Sequence, residues 1–326
     1  MDIAKAISKS WKLCTQNLHV LLPGIISMAV MLPLLVVFVY GSGLRPLWAE
    51  QEQLRHAFDQ QQLDTLGKMQ MGNENFLTAL LLTVGRRSSA YNTAFNTYLE
   101  EQGYDWDKWA DLFSVRNVAM LIAFVCVGLL VSWYASCMTF VLIMLRMRNK
   151  HSWSGAWRLT NKYLLRLLGA RVLVLIAILG PLVVLVPLVL LIKSIPLIAF
   201  VFILALLLFL VYIVYMNLRL LFVVPALFLE QKGVIESLRS SLRMTRAKLK
   251  YAFLIFLLIL AFSLIVRGSV MNPQGDVFVR FLGSGGVLSV LLFSLLAFLT
   301  LLQVALQTFQ NVFLFYAFEE GKNKKK

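Results

Sequence analysis

IPLIAFVFILALLLFLVYIVYMNL, residues 195–218, is a run of 24 residues without a charged side chain. Wound as an α-helix it rises about 36 Å, enough to cross the roughly 30 Å hydrocarbon core of a bilayer. Five further apolar runs lie at about 20–42, 117–145, 172–192, 251–266 and 287–312. The expected fold is therefore all-α: a polytopic integral membrane helical bundle of about six spans, with basic amphipathic helices at the interface.

Composition agrees. Hydrophobic residues make up 60% of the 326-residue chain and charged residues only 14%, where soluble domains carry about a quarter. The net charge is nonetheless +15. That excess sits in short segments between the apolar runs rather than on a polar domain, so it points to anionic membrane surfaces and away from nucleic acid.

Threading the spans alternately places 21 of the 31 Lys and Arg on one side and 11 of the 16 acidic residues on the other. Segment 145–171 alone holds seven bases and no acid. By the positive-inside rule both termini are expected in the cytoplasm and the protein in the cytoplasmic (inner) membrane. The first apolar run has no small-residue cleavage site after it and reads as a retained span.

The chain divides into 1–42, an amphipathic helix and first span; 43–116, an extracytoplasmic helical insertion; and 117–326, a five-span bundle. Inner-face amphipathic helices are expected near 151–168 and 233–250. The insertion holds ten carboxylates against seven bases, and its periodicity predicts helices over 47–70, 74–84, 88–101 and 105–115. Trp106 and Trp109 stand near the start of span two, and Asp105 and Asp107 read as caps of a short helix. Pro181 and Pro187 predict a kink in span three.

Three basic stretches precede spans and share a pattern: Ser10-Trp11-Lys12-Leu13, Ala156-Trp157-Arg158-Leu159 and Ser241-Leu242-Arg243-Met244. Such helices lie in the headgroup layer, apolar face down, with bases on anionic lipid. Leu238, Leu242 and Leu249 are expected on one face, flanked by Arg239, Arg243, Arg246 and Lys250. Trp11, Trp153 and Trp157 suit the interface. Arg158 and Arg219 complete the headgroup candidates. Arg219 has three open choices: snorkelling, pairing with Glu230, or gripping a lipid phosphate with its planar fork.

Span six carries Gln303, Gln307, Gln310 and Asn311, spaced to share a face. This polar stripe is expected to face the bundle interior or a water-filled crevice, either as interhelical hydrogen bonds or as the path of a small-solute or lipid transporter. His19, His56 and His151 are scattered, the cysteines Cys14, Cys126 and Cys137 show no metal spacing, and there is no phosphate-loop glycine pattern. No catalytic, metal or cofactor site is expected, and the chain does not read as an enzyme.

The stretch RLLFVVPALFLEQKGVIESLRSSLRMTRAKLKYAF, residues 219–253, resembles the polytopic proteins related to the membrane domain of glycerophosphoryl diester phosphodiesterases. The resemblance rests on Arg219, Pro225, Glu230, Glu236, Ser240 and Ser241. No stretch resembles the catalytic barrel, so it implies a membrane role without that activity, and the insertion at 43–116 departs from the compact pattern. The expected partners are membrane lipids, preferentially anionic, with a homo-oligomer or an envelope protein as further possibilities.

Overall fold

The computed structural model describes residues 3–69, 89–105, 107–110, 113–149, 152–183, 197–271, 274–275, 277–278, 281 and 286–323. Among them there is no strand. The helices are α1 (Ile3–Gln16), α2 (Leu22–Gly41), α3 (Leu44–Met69), α4 (Ser89–Glu101), α5 (Asp107–Ala110), α6 (Val115–Met147), α7 (Trp153–Leu179), α8 (Leu197–Leu220), α9 (Val223–Leu229), α10 (Val234–Ala247), α11 (Leu249–Val266) and α12 (Gly286–Asn323). Five stretches are long and apolar enough to cross a membrane: Leu22–Gly41, Val115–Met147, Phe200–Leu229, Leu249–Val266 and Leu288–Lys322. The protein is a multi-pass, all-α membrane protein.

The expected run 172–192 begins in α7, and residues 184–192, with Pro187, lie outside the described residues, as do the expected helix 74–84 and Trp106. At Gly180-Pro181 the chain makes a turn after α7. α7 joins a basic stretch directly to its span. The amphipathic stretch near 151–168 is not a separate surface helix but runs unbroken to Leu179, starting at an N-cap where the Ser152 hydroxyl accepts the Gly155 N–H at 3.1 Å. The other two basic helices do break from their spans: α1 at Asn17 to Leu21, and α10 at Lys248, whose φ of −139° and ψ of 51° are not helical.

The chain forms two compact units. The first comprises Met1–Ala29, Leu130–Asn272 and Thr300–Lys326. Its packing explains why some helices exceed a bilayer. α6 has 33 residues and rises about 50 Å, well beyond the hydrocarbon core. All nine residues from Cys137 to Leu145 are buried, whereas Leu129 and Leu130 are about two-thirds exposed. One end of the helix is thus sheathed by protein while the rest offers leucine to lipid. Val312, Phe315 and Phe318 near the end of α12 and Phe222 to Phe228 after α8 are enclosed in the same way. Phe140, Tyr163, Phe228 and Phe315 interlock there, with ring centroids 5.0 Å apart for Tyr163–Phe228 and 5.6 Å for Phe140–Phe228. Aromatic contacts of this kind add about 1 kcal/mol each beyond area burial. Gly24 of α2 lies directly against Val304 of α12, leaving no room for a Cβ.

α1, α7 and α10 supply the sheath with small residues. Ser10, Ala156 and Ser241, which occupy the matching position of the three basic stretches, are each 0% exposed, while Trp11 and Trp157 point outward. Small side chains let backbones approach closely.

The second unit comprises Val30–Leu129 and Pro273–Leu299. α3 and α4 pack through Phe58, Phe95, Leu99 and Tyr104, with the Arg55 guanidinium 5.0 Å from the Phe95 ring centre. An aromatic core makes up for few aliphatics. Of the expected helix 105–115, residues 106, 111 and 112 lie outside the described residues; 107–110 form α5, and Asp105 accepts the N–H of Asp107 at 3.0 Å as a cap.

Candidate anion site at the basic end of the helices

α10 is where the structure most changes the reading of the sequence. Its buried stripe is hydroxylic, Ser237, Ser241 and Thr245, not leucine. Leu238 and Leu242 are half-buried against protein, and Leu249 and Lys250 belong to α11. The reason lies in the neighbouring backbone. The turn at Leu221-Phe222 interrupts the helical ladder between α8 and α9 and leaves polar groups that need partners. Ser241 Oγ donates to the Arg219 carbonyl at 2.8 Å and accepts the Phe222 N–H at 3.2 Å. Leucine at that position would satisfy neither group.

Following α9, Gln231 adopts a left-handed φ of 55° and turns Lys232 back toward Glu230. The Glu230 side chain, 8% exposed, is the hub of the region. Lys232 Nζ reaches Oε2 at 2.7 Å, Lys322 Nζ reaches Oε1 at 2.9 Å, and Ser240 Oγ donates to Oε2 at 2.7 Å. Burial alone would raise the Glu230 pKa, but the hydrogen bonds from Lys232, Ser240 and Lys322 outweigh it and hold the carboxyl down at about 2. Glu230 is therefore ionised at any physiological pH.

The end of α12 is held from several sides. Lys9 of α1 meets Glu320 at 2.7 Å, Tyr251 donates to the Ala317 carbonyl at 2.9 Å, and Lys248 donates to the Gly321 carbonyl. Beside the Lys248–Gly321 contact lies a recess of about 210 Å³. Lys232, Arg243, Lys248 and Lys322 line it with Glu230 and Ser240, while Met244, Ala247 and Phe318 form its apolar wall.

Of the expected headgroup residues, the structure places only Arg243 in this recess. Arg158, Arg239, Arg246 and Lys250 are exposed on their helices. The half-buried Arg219 lies with its guanidinium 5.7 Å from the Tyr215 ring centre and is not a partner of Glu230. Lys232 and Lys322 went unnoticed in the sequence. Lys232 has a local signal, its spacing from Glu230, but Lys322 has none because α12 arrives from the far end of the chain.

The glutamine stripe is not uniformly inward. Thr308 and Val312 take the buried face of α12, so Gln303, Gln310 and Asn311 are half-buried on its flanks and Gln307 is exposed. Gln310 Nε2 donates to Ser263 at 3.2 Å. Among the described residues no three of His, Cys, Asp and Glu are grouped to hold a metal ion. Cys14 is a packed thiol that burial pushes up to about 11.

A protein family described as a family of unknown function (DUF7544) matches residues 4–320. The chain belongs to this family. The match takes in residues of both compact units. No curated protein and no solved structure matches the chain.

Proposed function

We propose that this DUF7544 member is a non-enzymatic protein of the cytoplasmic membrane, both termini inside, that organises anionic lipid through its basic helices. One observation carries this reading: α1, α7 and α10 turn small residues onto the span ends and leave bases and tryptophans facing out. Lys12, Arg158, Arg239 and Arg246 are exposed, and Trp11 and Trp157 are 65% and 57% exposed. Bases beside indoles at a span end suit a headgroup layer, where each Lys or Arg near an anionic surface contributes about 1 kcal/mol.

The test is lipid selection. Protein extracted into nanodiscs from mixed bilayers is expected to enrich phosphatidylglycerol over phosphatidylcholine, and the triple variant Arg158→Gln, Arg239→Gln, Arg246→Gln to lose most of that enrichment. Equal recovery of both lipids by the wild type ends the proposal. Reporter fusions at residue 90 and at the carboxyl end should fall on opposite sides of the membrane.

A further inference from the structure

We infer that the recess between Glu230, Arg243 and the end of α12 is a binding site for one phosphate group. This rests on the lipid-organising reading but names a specific site and ligand chemistry within it. The recess holds four cationic side chains, Lys232, Arg243, Lys248 and Lys322, and one carboxylate, Glu230. Such an excess in a concave site draws in counter-charge. Glu230 supplies part of it, and its two oxygens are already engaged by Lys232, Lys322 and Ser240. Lys248 is engaged by the Gly321 carbonyl. Arg243 is left over: it lines the same cavity from an exposed position and, among the described residues, makes no hydrogen bond or ion pair. Its planar fork matches two oxygens of one phosphate, a geometry that Lys does not offer.

The resident carboxylate fixes the charge of the ligand. Four cations against one carboxylate leave a surplus of three positive charges, enough for a ligand of one or two negative charges, while a polyanion would meet Glu230. The other wall fixes its company. Met244, Ala247 and Phe318 offer apolar contact beside the cations, as a phosphate ester requires and bare phosphate does not use. The ligand is thus a phosphate carried by an organic group, either the headgroup and glycerol of an acidic phospholipid or a soluble phosphate ester. Phosphate bound to Arg243 and Lys322 would also pin the last turn of α12, which Lys322 already ties to Glu230.

Binding of sn-glycerol 3-phosphate, inorganic phosphate and nanodisc phosphatidylglycerol to the full-length protein tests this by calorimetry and native mass spectrometry. Saturable binding of one phosphate-bearing ligand per chain is expected. Arg243→Gln should weaken it at least tenfold, as loss of a charge-assisted hydrogen bond does. Lys322→Gln should do the same, and Lys162→Gln, an equal change of charge on exposed α7, should stay within about twofold. Retention of a single phosphatidylglycerol without binding of the soluble ester identifies a lipid site, and competition by the ester identifies a free one. Absence of saturable binding for all three probes overturns the site, as does Arg243→Gln and Lys322→Gln binding like wild type. Phosphatidylglycerol enrichment that survives those two substitutions but not the triple variant removes the site while leaving the general lipid reading in place.

Discussion

Glu230 and Lys322 meet at 2.9 Å, joining the turn after α9 to the last turn of α12. The contact closes a loop through much of the chain, and the charge of Glu230 sets its dependence on pH. The folded pKa of Glu230 is depressed from the ordinary 4.5 to about 2. The stabilisation is therefore complete above about pH 4.5 and disappears as pH falls toward 2. Lys232 and Lys322 are 42% and 60% exposed, so screening limits the contribution to on the order of 2 kcal/mol. Thermal unfolding in detergent across this window should show a steeper acid loss for wild type than for Glu230→Gln. Parallel curves would mean that the ion pair does not stabilise the fold.

Ser241→Ala removes a fully buried hydroxyl that serves both the Arg219 carbonyl and the Phe222 N–H. The Arg219 carbonyl keeps the Thr245 hydroxyl at 3.4 Å, but leaving the buried Phe222 N–H unpaired costs about 1–3 kcal/mol. Detergent denaturation should find Ser241→Ala destabilised by this amount, and the bulkier Ser241→Leu by more. A neutral alanine variant would show that water or a backbone shift replaces the hydroxyl.

Gly24 and Val304 make a close helix crossing. Because valine is stiff at χ1, it cannot swing aside easily. Gly24→Ala should cost about 1–3 kcal/mol through overpacking, and Val304→Ala should restore most of that loss in the double variant. If the two effects simply add, the helices do not touch there.

Gln310 and Gln307 separate packing from transport. Gln310→Leu gives up the bond to Ser263 and should cost roughly 0.6 kcal/mol, typical for hydrogen bonds inside membranes. Gln307 is exposed, and Gln307→Leu should leave stability unchanged or slightly raised. A transport path along α12 would instead show as solute flux into proteoliposomes that Gln307→Leu abolishes.

Hydropathy alone determined that this chain crosses a bilayer as helices, because an apolar run some 20 residues long has few other stable places in water or lipid. The runs at 20–42, 117–145, 195–218, 251–266 and 287–312 each correspond to a long helix. What periodicity did not determine is which face of a basic helix is buried. On α10 a leucine stripe and a hydroxyl stripe compete. The winner depended on an interrupted helix end between α8 and α9, whose unpaired carbonyl and N–H need hydroxyl partners. The recess was out of reach for a related reason. Glu230, Arg243 and Lys322 come from three separate segments, and charges converge only when helix packing brings their ends to one level. Local sequence sets solvation and helix length, while the pairing of distant polar groups is decided by packing.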